Sequence, residues 1–297
     1  MFFSMAGEFV LSEECNMGWE HIEIPNGKTS LFCNACITSE TAMNIICVHT
    51  PIVSTLALQS AYEPFTKYDV NIFAIDFAGT GKSVSEKRLS RESFIKDLDS
   101  VVDYIESNYS ANIHLYAPTG IGGMFAQYYA TTSTKLKSLA QFNCINYQKT
   151  AGMGYPLPIA KIMYFFLRVF PDMTILYKPP KYQGPRHEED NGFYVDMMAK
   201  YPSFKKVSTK FLEIVMGFFL AKDSVAKNSV AIPTLVYKIP HDRFMTPQFF
   251  DDYYQSLTCK KKLVEIKNGI HNSYYFDSEE FCKYAYEWFV EHSNCSK

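Results

Sequence analysis

No apolar run reaches the roughly 18 residues needed to cross a bilayer; Leu212 to Ala221 has about half that length. Neither charge is in excess, since 29 Lys and Arg stand against 31 Asp and Glu, a net charge of −2. A nucleic-acid binder needs a basic surface to displace counterions, so the charge balance argues against that class. Eight cysteines in 297 residues are too sparse for a disulfide scaffold. The opening Met1-Phe2-Phe3-Ser4-Met5 has no basic residue, and Glu8 follows closely. That pattern is unlike a secretory leader, so the expected location is cytoplasmic. Internal repeats and low-complexity stretches are also missing. What is present, 47% hydrophobic and 20% charged residues, supports a sizeable buried core in one large domain or two small ones.

The strand–helix rhythm is regular at both ends of the chain. Trp19 to Ile24 and Thr29 to Thr38 read as a hairpin across Pro25-Asn26-Gly27. Cys33 and Cys36 form a CxxC, but they sit on that second strand and no second pair follows, so reduced, strand-borne thiols are expected. Short apolar runs at 44–48, 70–75, 112–116 and 139–142 read as strands buried on both faces. Helices are expected at Leu56 to Phe65, Ser93 to Ile105 and Gly122 to Ala130. Such alternation implies a parallel sheet covered by helices.

The rhythm breaks between about 146 and 230. No strand is evident there, and two apolar helical stretches, Ile162 to Phe170 and Phe211 to Leu220, stand among prolines and aromatics. Both are read as packing on the core and lining a pocket rather than touching a membrane. Pro233 to Tyr237, Pro247 to Tyr254, Lys262 to Ile266 and Ser278 to His292 then resume the pattern as strand, helix, strand and helix. The expected architecture is a core of residues 1–145 and 231–297 with a helical cap inserted at 146–230.

Three segments follow strands, where open α/β sheets bind ligands. They are 117–123 (Ala-Pro-Thr-Gly-Ile-Gly-Gly), 241–247 (His-Asp-Arg-Phe-Met-Thr-Pro) and 268–272 (Asn-Gly-Ile-His-Asn). A strand–turn–helix elbow, then an acid, then a histidine is the chain order of a hydrolase triad. Cys47-Val48-His49-Thr50 is similar to the His-Gly oxyanion loop of such enzymes, and Asp76-Phe77-Ala78-Gly79-Thr80-Gly81-Lys82-Ser83 resembles their Asp-x-x-Gly-x-Gly-x-Ser segment. On these residues nearly the whole chain resembles the α/β-hydrolase superfamily of lipases, esterases and haloperoxidase-like enzymes. The resemblance implies an α/β fold of about eight mostly parallel strands, with Asp242 as the acid and His271 as the general base.

Two departures bear on the chemistry. The family's elbow reads Gly-x-Ser-x-Gly-Gly. Registering on Gly122-Gly123 puts the nucleophile position at Gly120, which has no side chain, and this register keeps both glycines in place. Registering on the preceding strand puts it at Thr119 and leaves Ile121 where a glycine is expected at the strained turn. The resemblance implies an oxyanion site of His49, Thr50, Pro51 and Ile121, in which Pro51 falls at a position where the family has a backbone donor and has no N–H to give. Losing one such donor costs on the order of 3 kcal/mol.

Gly79 to Ser83 looks like a phosphate loop, but Asp76 stands where its first glycine belongs. Gly120-Ile121-Gly122 has Phe125 where a dinucleotide fingerprint needs glycine. His187-Glu188-Glu189-Asp190 reads as a solvated acidic loop rather than a metal site. No cofactor or metal is therefore expected. The leading expectation is a hydrophobic small molecule bound under an aromatic-rich cap, with His271 and Asp242 serving non-hydrolytic base chemistry or binding alone. An ester or thioester hydrolase using Thr119, and a non-catalytic receptor or scaffold, are the alternatives.

Overall fold

A computed structural model describes residues 18–84, 90–142, 156–171, 173–220 and 230–293. The opening residues, and the expected boundary at 145–146, lie outside them. In chain order the strands are β1 (Trp19–Asn26), β2 (Thr29–Cys36), β3 (Met43–Cys47), β4 (Val70–Ile75), β5 (Ile113–Ala117), β6 (Ser138–Gln141), β7 (Thr174–Leu176), β8 (Lys206–Ser208), β9 (Thr234–Lys238) and β10 (Lys261–Glu265). The α-helices are α1 (Arg91–Asn108), α2 (Gly120–Thr132), α3 (Leu157–Val169), α4 (His187–Lys200), α5 (Pro202–Lys205), α6 (Thr209–Phe219), α7 (Pro247–Ser256), α8 (Ser273–Phe276) and α9 (Ser278–Ser293).

Eight strands form one sheet in the order β1-β2-β4-β3-β5-β6-β9-β10. Only β1–β2 and β2–β4 pair antiparallel; every other neighbour is parallel. Gly27 at φ +68° turns the β1–β2 hairpin, a conformation open to glycine at that first turn position. All residues of β3, β4 and β5 are buried, as parallel strands covered on both faces require. Alternation sends Ile46 to one core cluster and Ile45 and Cys47 to the other. The same period puts Cys33 and Cys36 on opposite faces of β2, and neither is in a disulfide. Helix α1 starts on a Ser90–Ser93 capping box and buries the stripe Phe94, Leu98, Val101, Val102 and Ile105.

Three local expectations are corrected. The helix expected at Leu56 to Phe65 is two 3₁₀ segments, Thr55–Ala61 and Glu63–Lys67. Pro64 cannot donate within a continuous α-helix, and Tyr62 at the break turns its hydroxyl to Asn34 and Thr55. The region between β6 and β9 does hold strands, since β7 and β8 pair antiparallel over three residues each. Too short for a periodic signal, they are held by pairing across 30 residues of chain. The acidic run at 187–190 is the first turn of α4 and not a solvated loop: Asp190 is fully buried. Acidic side chains suit a helix N-terminus because its unpaired N–H groups carry partial positive charge.

The β5 residue His114 is buried against Phe289, its nitrogens facing Ser138 Oγ (2.8 Å) and Asn112 Oδ1 (3.0 Å). Burial first, then His292 and Lys137, push its pKa down to about 3. The unfolded chain takes up a proton near pH 6.5 that the folded chain refuses. Stability is therefore full above pH 6.5 and is lost progressively as pH falls from 6.5 toward 3. By pH 5 the loss is about 2 kcal/mol. Urea unfolding at pH 7 and pH 5 should show that difference shrinking by the same amount in His114→Gln; an unchanged pH dependence would refute it.

Candidate functional site

The chain runs from β3 to β4 on one side and from β5 to β6 on the other, so strand order reverses between β3 and β5. Crevices at the carboxyl ends of strands at such a point bind ligands. The loops that meet there are 48–51 after β3 and 118–119 after β5.

At the elbow Thr119 is the N-cap of α2, with φ −102° and ψ 148°. Its Oγ1 accepts the Gly122 N–H at 3.1 Å, an ordinary capping bond. The strained turn expected here does not form, for no elbow residue has a positive φ. An extended cap residue turns the chain without one. Gly122 has a different duty: a Cβ there would lie 2.6 Å from the Val48 carbonyl oxygen and from Thr119 Oγ1. Its bare backbone is what lets α2 close on the β3 loop. The first-turn N–H groups of Gly120 and Ile121 have no acceptor within their own helix, the position from which such groups donate to bound anions.

Asp242 and His271 come together. His271 Nδ1 lies 2.6 Å from Asp242 Oδ2, and the carboxylate is fully buried. The other oxygen, Oδ1, accepts the backbone N–H groups of Phe244 (2.7 Å) and Met245 (2.8 Å). His241 N donates to Gly269 O at 3.0 Å and ties the two loops edge to edge. With Nδ1–H held by the carboxylate, the imidazole keeps its Nε2 lone pair. Phe142 and Phe244 flank the ring at centroid distances of 5.6 and 4.7 Å. Thr119 Oγ1 and His271 share no hydrogen bond.

His271, Thr119, Gly120, Ile121 and Thr50 all line one cavity of about 390 Å³. Its other walls are mainly apolar, with Tyr177, Tyr194, Phe204, Phe211 and Phe219 prominent and Ile52, Phe244, Met245 and Tyr274 beside them. A space of that size and lining fits an apolar small molecule. Two members of the expected oxyanion loop stand elsewhere. Pro51 faces a second cavity of about 300 Å³ beside Gly79-Thr80-Gly81. His49 is buried behind the loop, with Nδ1 2.7 Å from Thr50 O and Nε2 3.4 Å from Asp76 Oδ1. Ser54 Oγ, Thr55 N and Lys82 N also donate to the Asp76 carboxylate. Despite its burial, these contacts with His49 hold Asp76 below the usual carboxylate range. At φ +52°, Gly81 lies so close that a Cβ would strike this carboxylate. The 79–83 segment thus packs around a buried acid, where a phosphate has no place.

Sequence reasoning missed a cluster that braces both loops. Asp190 Oδ2 lies 2.8 Å from Arg243 Nε, and the two side chains are 0% and 2% exposed. Asn272 Nδ2 donates to Asp190 Oδ1 at 2.8 Å. One residue of α4 therefore holds the neighbour of Asp242 and the neighbour of His271. Only the spacing of Asp190 from Glu188 and Glu189 around the helix marks it as inward-facing, and that becomes visible once the segment is known to be helical. Among the described residues no group of three or more His, Cys, Asp or Glu could hold a metal ion. No described helix is long and apolar enough to cross a membrane.

The sequence matches no protein-family model and no curated protein. Solved structures do match. The structure of DcsB in complex with its substrate analogue is 16% identical and covers 93% of this chain and 100% of its own, with a TM-score of 0.73. A monoacylglycerol lipase from Paleococcus ferrophilus is 19% identical over 88% of this chain and 99% of its own, with a TM-score of 0.69. The alpha/beta hydrolase GrgF from Penicillium sp. sh18 is 11% identical over 93% and 99%, also with a TM-score of 0.69. At such identities the likeness is one of fold, and the chain has the α/β-hydrolase fold.

Proposed function

We propose that this α/β-hydrolase-fold chain binds an apolar small molecule beneath its inserted segment, which serves as a cap, and uses His271 as a general base without an elbow nucleophile. One observation carries the reading. The Asp242–His271 pair is intact and opens on the cavity, while Gly120 has no side chain and the Thr119 hydroxyl is engaged as a helix cap. In this reading Nε2 takes a proton from carbon next to a carbonyl. The Gly120 and Ile121 N–H groups then steady the charge that develops on the carbonyl oxygen. Elimination, isomerisation or cyclisation follows according to where the electron pair goes next. The reduced, buried Cys33 suits a reducing compartment, and the cytoplasm is the proposed location.

A second reading has its own support, because Thr119 lines the same cavity as His271 and several structural neighbours are a lipase, a thioesterase and esterases. There Thr119 attacks an ester or thioester. Intact-protein mass after a fluorophosphonate probe separates the two. The expected result is folded protein with no added mass. Stoichiometric labelling that disappears in both Thr119→Ala and His271→Ala would replace the base-only reading with the hydrolase. A receptor would keep ligand affinity and show no turnover in any variant.

A further inference from the structure

The apolar stretch of α3 does not pack on the core as its composition implies. Ala160 is the single buried residue of the helix. Ile162, Phe165, Phe166 and Val169 recur at helical spacing on one face and are 57%, 63%, 55% and 50% exposed. Phe170 (50%) and Leu176 (68%) extend the patch through the loop into β7. Elsewhere among the described residues exposed large apolar side chains occur only singly, which is normal for a protein surface. A contiguous apolar patch of this kind marks a contact surface.

Charge identifies the occupant. Residues 157–181 hold Lys161, Arg168, Lys178 and Lys181 against the single acid Asp172, in a chain whose net charge is −2. All four basic residues are exposed. Lys161 and Arg168, seven apart, lie on one flank of the apolar face, and the Arg168 guanidinium stands over the Tyr164 ring. Long basic side chains so placed reach up to phosphate while their stems and the phenylalanines enter the acyl boundary. A second copy docked by two-fold symmetry would set these cations against themselves. An anionic lipid surface instead attracts each of them. We infer that α3 and β7 form a peripheral docking face for an anionic bilayer. The face adjoins the cavity: exposed Ile175 pairs with Val207, and Val207 and Tyr177 line the cavity wall. The inference stands whether or not His271 acts as a base.

Co-sedimentation with vesicles tests it, using phosphatidylcholine alone and phosphatidylcholine with about a third phosphatidylglycerol. The protein should bind the anionic vesicles and release from them as salt rises. Phe165→Glu with Phe166→Glu should weaken binding roughly tenfold or more, since each exposed ring removed takes apolar area from the contact. Because both side chains face outward, an unchanged unfolding midpoint should accompany that loss. Lys161→Glu with Arg168→Glu should abolish the preference for phosphatidylglycerol. Absence of vesicle binding would overturn the inference, as would binding indifferent to the phenylalanine variant. Self-association in sedimentation velocity, lost in that variant and without vesicle binding, would overturn it in favour of a second copy.

Discussion

Replacing Asp190 by alanine is expected to lower the unfolding free energy by about 3–5 kcal/mol. The variant leaves the Arg243 guanidinium buried without its carboxylate. Its remaining contacts, among them Asn191 Oδ1 at 2.6 Å and the Tyr194 ring at 4.5 Å, are polar or polarisable but do not neutralise it. Asn272 also loses its acceptor. Urea unfolding measures the effect, and the double variant Asp190→Ala, Arg243→Met checks its cause. If an orphaned charge is responsible, the double variant should be markedly more stable than Asp190→Ala alone. A single-variant loss under about 1 kcal/mol would mean that the pair is not closed in solution.

His271→Ala is expected to slow proton transfer roughly a hundred- to ten-thousandfold, the usual contribution of a positioned general base. A suitable readout is hydrogen–deuterium exchange next to the carbonyl in a panel of apolar ketones, followed by NMR in deuterium oxide. Thr119→Ala should leave that rate nearly unchanged, because its hydroxyl caps α2 and has no bond to His271. Asp242→Asn should fall between them or lower, since an amide at 2.6 Å from Nδ1 no longer selects the tautomer with a free Nε2. Exchange that persists in His271→Ala would assign the base elsewhere. Equal losses in Thr119→Ala and His271→Ala would mean that the two act as one unit, as a nucleophile and its base do.

Much of the architecture was legible in the residues. The buried runs of β3, β4 and β5 and the stripe of α1 stand within a residue or two of where their periodicity put them. So do the paired segments that carry Asp242 and His271, because a hydrogen-bonded acid and imidazole leave a chain-order signal after their strands. The question of Thr119 or Gly120 at the elbow was open in the residues alone. What the fold adds is an unstrained N-cap at Thr119, a conformation set by how closely Gly122 lets α2 approach the Val48 carbonyl.

Local pattern determined most of the strands and helices of this protein, since hydrophobic period and caps act within a few residues of chain, but the three-residue strands β7 and β8, the start of α4 and the 3₁₀ segments escaped it. It also determined the order elbow, acid, histidine. Only tertiary structure decided the partners. Asp190 reads like its neighbours Glu188 and Glu189 until α4 turns it toward Arg243, and Ile162 to Phe170 reads like core until the fold leaves it uncovered. Burial, charge pairing and surface exposure depend on elements far apart in sequence, and packing assigns them only when those elements meet.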